Sequence, residues 1–188
     1  MSTEKHTMRV IAGKHRRRLL KNVPSPMTRS TRDRVKETLF NMLTPVEVYS
    51  SCLDLFAGSG ALGIEALSRG VEHAVFVESQ PLAFGILKEN IETLALSQQS
   101  ERYRVDAVDY CRRVKKTFDL ILLDPPYQSP YLEQTLEIIC QKNMLAPQGL
   151  VAVLSTSQQA FAIPGCLITV KQRTMGVTMV TLLKGANT

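Results

Sequence analysis

The chain has 188 residues, 44% of them hydrophobic and 21% charged, which suits one core-forming domain with at most a small appendage. No apolar run approaches the ~20 residues of a membrane span, and the opening MSTEKHTMRV lacks the apolar stretch of a secretory signal, so a cytoplasmic protein with no membrane partner is expected. The net charge is +6, and the four cysteines, Cys52, Cys111, Cys140 and Cys166, lie far apart with no C-x-x-C pair and no metal-like spacing to histidine, so neither a metal site nor a disulfide is expected.

The charge is concentrated at one end. Residues 1–41 hold eleven Lys or Arg against three acids, a net +8 that leaves −2 for the remainder. Such a patch attracts a polyanion, because each neutralised phosphate releases counterions. The alternative is a solvated face that only aids solubility. Residues 8–23 read as two short basic strands, RVIAG and RRLLKNV, around a turn near residues 13–15. VPSPMTRST reads as a loop. Thr31 is then placed to cap a helix running to about residue 43, with Val35, Leu39, Met42 and Leu43 on one face. Arg32, Arg34 and Lys36 project largely from other faces of that helix.

From residue 51 the rhythm becomes strand–helix–strand. Strands are expected at 51–56, 73–78, 102–106, 118–123 and 149–155, and helices at 60–69, 81–96, 108–115 and 130–143. That alternation predicts an α/β fold, a parallel doubly wound sheet covered on both faces. CLITVKQR and VTMVTLLK, flanking residues 174–176, add a C-terminal antiparallel hairpin. The expected division is a basic N-terminal hairpin and helix extension over 1–43 and a Rossmann-like domain over 44–188.

LDLFAGSGALGIEALSRG (53–70) places Gly58, Gly60 and Gly63 as G-x-G-x-x-G between a strand and a helix. The first two permit a tight turn and close approach of a ligand; Gly63 permits close helix–strand packing. Glu78, at the end of the second strand, suits a ribose diol, which both NAD and S-adenosylmethionine carry. Asp54 discriminates. A carboxylate there repels a pyrophosphate but suits the ammonium and sulfonium of S-adenosylmethionine; bonding to loop N–H groups is its structural alternative. Asp106, expected to end the third strand, is a candidate acceptor for an adenine amino group, with Asp109 as rival.

DLILLDPPYQSP (119–130) leaves a buried strand and immediately places Asp124-Pro125-Pro126-Tyr127. In open α/β sheets, ligands bind beyond the carboxyl ends of the strands. With strand 118–123 beside strand 51–56, this corner faces whatever the glycine loop holds. The prolines stiffen the turn and remove two N–H donors. What remains is acceptors, the Asp124 carboxylate and the Pro125 carbonyl, which suit the two N–H bonds of an exocyclic nucleobase amine. Accepting both frees the nitrogen lone pair and stabilises the positive charge that develops on nitrogen. Tyr127 offers a face for stacking, worth roughly 1–3 kcal/mol.

F-A-G-S-G (56–60) followed by D-P-P-Y (124–127) resembles the signature pair of S-adenosylmethionine-dependent (class I) amino methyltransferases. With R-V-I-A-G-K-H-R-R-R-L-L (9–20) and T-R-D-R-V-K-E-T-L-F-N-M-L (31–43), the chain resembles the bacterial 16S ribosomal RNA guanine-N2 methyltransferases, the RsmD family, over about residues 8–184. The resemblance implies methylation of a guanine N2 in small-subunit ribosomal RNA, within an assembled or assembling subunit; with no long apolar repeat to suggest an obligate dimer, a monomer is expected. The resemblance also implies cofactor contacts from Phe56, Ala57, Gly58, Ser59, Gly60, Glu78, Asp106 and Ala107, to which the reading of the glycine loop adds Asp54 and Gly63. It implies catalysis by Asp124, Pro125, Pro126 and Tyr127, and RNA contacts from the basic extension, here Arg16, Arg17, Arg18, Arg29, Arg32 and Arg34. One departure stands out: Arg29-Ser30-Thr31 carries serine where the family has proline, in a stretch (24–32) that could otherwise serve as a lid.

A DNA or RNA adenine-N6 methyltransferase also uses D-P-P-Y, but the 66 positions from Gly58 to Asp124 leave no insert for base reading. An NAD-dependent oxidoreductase leaves D-P-P-Y and the basic segment without a role. A non-catalytic RNA-binding factor leaves the intact tetrapeptide unexplained.

Overall fold

In the strands, side chains alternate between two apolar cores, and this fixes which helix covers which face. In β3 (Ser51–Leu55), Cys52 enters one core while Leu53 and Leu55 enter the other. In β6 (Phe118–Leu123), Leu120 and Leu122 join the first core, and Ile121 and Leu123 the second. The computed structural model describes residues 7–23, 29–126, 130–158 and 160–186.

Seven strands form one sheet: β3, β4 (His73–Val77), β5 (Ser100–Tyr103), β6, β7 (Leu145–Thr156), β8 (Leu167–Met175) and β9 (Thr178–Gly185), in the order β5-β4-β3-β6-β7-β9-β8. The first five in that order run parallel, and β9 and β8 are antiparallel, so the expected α/β sheet with a closing hairpin is observed. The chain order reverses between β3 and β6, which are hydrogen-bonded neighbours with Leu55 opposite Leu123. A crevice at such a switch point is where ligands bind in this architecture.

Helices α1 (Arg29–Leu43), α2 (Ala61–Ser68) and α3 (Pro81–Thr93) cover one face, contributing Val35, Leu39, Ile64, Leu87 and Ile91 to the first core. Helices α4 (Ala107–Arg113) and α5 (Tyr131–Gln141) cover the other with Val108, Cys111, Leu136 and Ile139. The short antiparallel pair β1 (Thr7–Arg9) and β2 (Leu19–Lys21) sends Met8 and Leu20 into the first core, so the basic extension packs on the sheet domain. Among the described residues, no helix is long and apolar enough to cross a membrane.

Several sequence expectations are corrected. α1 begins at Arg29, so Thr31 lies inside the helix and not at its N-cap. β5 spans Ser100–Tyr103, not 102–106, because its partner β4 pairs Ala74 with Ser100 and Val77 with Tyr103. Lys36 is buried, not projecting, because the hairpin covers the polar side of α1, where Asp33 is buried as well. Cys140 and Cys166 are paired: the end of α5 lies beside the start of β8, bringing their Cα atoms to 6.1 Å across 26 residues of sequence. Cys52 and Cys111 are free and buried, as small hydrophobes. The remaining differences are helix and strand ends moved by a few residues.

Candidate methyl-transfer site

The tips of β3, β4 and β6 open on one cavity of about 720 Å³, within the ~300–1,000 Å³ range of small-molecule sites. Of the residues expected at the site, Asp54, Phe56, Ala57, Gly58, Ser59, Glu78, Asp106, Asp124, Pro125 and Pro126 line it. Gly60, Gly63 and Ala107 do not line it. Tyr127 and residues 24–28 of the expected lid lie outside the described residues.

The glycine loop is built by backbone that leaves the ordinary regions. Phe56 (φ 61°) and Gly58 (φ 56°) are left-handed, an uncommon geometry for a residue as large as Phe56. Gly60 precedes α2 without a side chain to cap it. The cap comes from the strand instead: Asp54 Oδ2 accepts the Gly63 N–H at 2.8 Å, one of the donors a helix leaves open in its first turn. Gly63 allows this approach, since a Cβ there would meet the Phe76 ring at 2.3 Å.

Asp54 is 1% exposed, and its Oδ1 has no hydrogen-bond partner among the described residues. Thus one oxygen realises the loop-bonding reading of Asp54, while the other is free to meet a ligand. Burial pushes the Asp54 carboxyl up to about 8, the Gly63 hydrogen bond opposes the rise, and the charges of Asp124 and Glu78 add to it. A buried carboxyl in this condition gains most from a cation or a strong donor in the cavity.

Glu78 ties the loop to β4. Its Oε2 accepts the Gly58 N–H at 2.8 Å and its Oε1 the Gln80 N–H at 2.7 Å. Asp106 is not a strand residue but the N-cap of α4, accepting from Val108 N at 2.8 Å and Asp109 N at 3.2 Å through Oδ1. Its rival Asp109 lies within α4 and pairs with Arg112 at 3.4 Å. The Asp124 side chain reaches solvent through the cavity mouth, yet the dense surrounding protein pushes its carboxyl up to about 6 by desolvation.

Arg16, Arg17 and Arg18 are exposed on the excursion between β1 and β2. That excursion is held on the end of α2: Lys14 N donates to Ser68 O at 2.7 Å, His15 N to Ser68 Oγ at 2.9 Å, and Ser68 Oγ to Ala12 O at 2.6 Å. Gly13 is required there, since a Cβ would fall 1.7 Å from Ser68 O. Arg34 is exposed on α1, and Arg29 and Arg32 lie in its first turn.

The cavity also holds residues that motif reading missed. Met8, Asn22 and Val23 from the hairpin, Lys36 from α1, Tyr131 from α5, and Leu154 and Thr178 from β7 and β9 line it. No spacing marks them, because each comes from an element that closes the cavity from the side. Only a register for the extension on the sheet would have found them.

A model of the conserved hypothetical protein 95 family matches residues 8–184. The chain is 38% identical over 176 residues to Ribosomal RNA small subunit methyltransferase D of Haemophilus influenzae, covering 92% of this chain and 91% of that protein. It is 40% identical over 183 residues to the candidate rRNA methyltransferase YlbH of Bacillus subtilis, across 94% of this chain and 98% of the relative. Among solved structures, the candidate methyltransferase yhhF from Escherichia coli matches with a TM-score of 0.86 at 32% identity, covering 95% of this chain and 98% of that one.

Proposed function

The chain belongs to the conserved hypothetical protein 95 family, the RsmD family its motifs resemble, and on that footing we propose that it methylates the exocyclic N2 of a guanine in 16S ribosomal RNA, with S-adenosylmethionine as methyl donor. The observation that carries this reading is the adjacency of β3 and β6, by which the glycine loop and the Asp124 corner line one cavity. The residues present fit the donor: an unpartnered buried carboxylate oxygen on Asp54 suits a cationic group, and Glu78 at the tip of β4 suits a diol.

When bound, S-adenosylmethionine supplies an electrophilic methyl carbon on a sulfonium leaving group. The chain's part is positioning and electrostatics. Asp124 and the Pro125 carbonyl accept the two N–H bonds of the target amine, turning its lone pair toward the glycine loop. Pro125 and Pro126 hold that geometry and leave no competing N–H donor. Asp124 stabilises the positive charge that grows on the nitrogen, and the proton leaves after transfer. Tyr127 supplies a stacking face for the base, and Asp106 and Ala107 serve the adenine end of the donor. Arg16, Arg17, Arg18, Arg29, Arg32 and Arg34 contact RNA phosphates. The substrate is RNA folded within an assembled or assembling small subunit, and the enzyme acts as a cytoplasmic monomer.

Titration of the purified protein with S-adenosylmethionine and with NAD tests the cavity's assignment. Saturable binding of the first with none of the second is expected. Tight binding of NAD alone rejects the reading.

A further inference from the structure

A second basic surface lies outside the cavity and outside the N-terminal extension. Beyond residue 41 the chain has twelve Lys or Arg, and six of them fall within 101–116, against three acids. One of those acids, Asp106, caps α4 and lines the cavity. Arg104, Arg112, Arg113, Lys115 and Lys116 are exposed, and none of them lines the cavity. Arg112 pairs with Asp109 at 3.4 Å and Lys116 with Glu101 at 2.8 Å. Arg104, Arg113 and Lys115 form no ion pair among the described residues.

An exposed aromatic ring stands beside these charges. β5 is an edge of the sheet, paired only with β4. Tyr103, its last residue, is 40% exposed. Its ring leans on Tyr110 of α4, with centroids 5.1 Å apart and planes tilted by 46°, a favourable aromatic arrangement. Its hydroxyl donates to Glu101 Oε2 at 2.6 Å, while Glu101 Oε1 takes Lys116 at 2.8 Å and meets His73 Nε2 at 3.2 Å. The ring is thus fixed by a second ring and at its hydroxyl, and the rest of it is open to solvent. Arg104 adjoins Tyr103 in the chain, and Arg113 follows Tyr110 by three residues, on the same side of α4. Complementing the helix dipole accounts for Arg112 and Arg113, and solubility for Lys115, but neither gives an open, immobilised ring a role. A flat ring beside unpaired cations suits a nucleotide, with stacking for the base and charge for its phosphates.

We propose that the β5–α4 surface is a second RNA-contact surface, on which Tyr103 stacks an unpaired base and Arg104, Arg113 and Lys115 hold the adjoining phosphates. This rests on the chain acting on RNA. The segment it takes is single-stranded, because a base within a duplex has no open face to stack. Glu101 is a positioning residue that holds the Tyr103 hydroxyl. The hairpin extension packs with α1, α2 and α3 on one face of the sheet, and α4 covers the other. The two basic surfaces therefore reach RNA from different faces of the fold, and Asp106, three residues after Tyr103, joins this one to the cavity.

Binding to 16S ribosomal RNA, naked and within 30S particles, over a range of salt tests this. Tyr103→Leu is expected to weaken binding roughly five- to hundredfold, the scale of one stacked base, with an unchanged salt slope, while Tyr103→Phe stays within about threefold of wild type. Arg104→Gln, Arg113→Gln and Lys115→Gln together are expected to flatten the plot of log affinity against log salt by about 2, at roughly 0.7 for each phosphate contact on a single strand. The triple variant leaves the ring pair in place and gives a second route if Tyr103→Leu folds poorly. All of these variants should bind S-adenosylmethionine like wild type. Folded variants with wild-type RNA affinity and salt slope overturn the proposal; a purely structural Tyr103 would lower Tm and give that result. Variants that bind naked RNA like wild type and fail only on 30S particles overturn it too, and assign the surface to a ribosomal protein. A wild-type protein that binds S-adenosylmethionine and no RNA rejects the RNA reading itself, which is a different result.

Discussion

Leu55 of β3 and Leu123 of β6 lie opposite each other on adjacent parallel strands. The chain therefore leaves the sheet at two neighbouring points, and the loop after Leu55 and the corner after Leu123 enclose one cavity. Donor and acceptor elements so placed need no large motion to meet.

Asp124 lines the cavity beside two prolines that cannot donate. Asp124→Ala is expected to lower kcat by ~10²–10³, the scale for losing one preorganised electrostatic partner. Affinity for S-adenosylmethionine should stay within about threefold, since the glycine loop is untouched. Turnover and calorimetry on the same preparation check both halves. Unchanged turnover removes Asp124 from the chemistry.

Asp54 gives the fold a distinctive pH dependence. Its carboxyl is raised from the ordinary 3.8 to about 8, chiefly by burial. Between those values the folded state binds more protons at this site than the unfolded state does. The contribution of Asp54 to stability is thus fully present below about pH 4 and is lost as pH rises through about 8. Asp54→Asn abolishes that slope while keeping the shape. Urea midpoints at pH 5, 7 and 9 should converge in the variant relative to wild type; parallel profiles would contradict the burial argument.

Gly63 faces Phe76 of β4, a ring with no solvent exposure, at a distance that admits no Cβ. Gly63→Ala is expected to destabilise the protein by about 1–3 kcal/mol, as overpacking in a filled core does. A lowered Tm with weaker donor binding would show the close packing of α2 on the sheet; a Tm equal to wild type would show that the ring can move aside.

Arg16, Arg17 and Arg18 are exposed on a turn fastened to Ser68. Neutralising all three should weaken RNA binding and flatten the plot of log affinity against log salt by about 2–3, since each lost phosphate contact removes roughly 0.7–0.9 from the slope. A slope identical to wild type returns the turn to a solubility role.

The strand tips were legible because short, near-continuous apolar runs ended abruptly in loop chemistry, as at Leu55 and Leu123. The neighbour relation of β3 and β6 followed from the rules of open α/β sheets, and it brought Asp54, Gly58, Glu78 and Asp124 to one place. What stayed hidden was the third dimension of the extension. Lys36 read as projecting from a polar face of the helix; the hairpin covers that face and buries Lys36, with Asp33 beside it, in a charged network. Asp106 read as the end of a strand over 102–106, whereas pairing with β4 stops at Tyr103 and leaves Asp106 to cap α4. The Cys140–Cys166 pair joins elements whose contact no local pattern announces.

The most direct measurement incubates the protein with tritiated S-adenosylmethionine and, separately, 30S particles lacking the modification, free 16S ribosomal RNA and duplex DNA, then identifies the labelled nucleoside. N2-methylguanosine recovered from 16S ribosomal RNA is the expected result. Label recovered as N6-methyladenine, in RNA or in DNA, would contradict it.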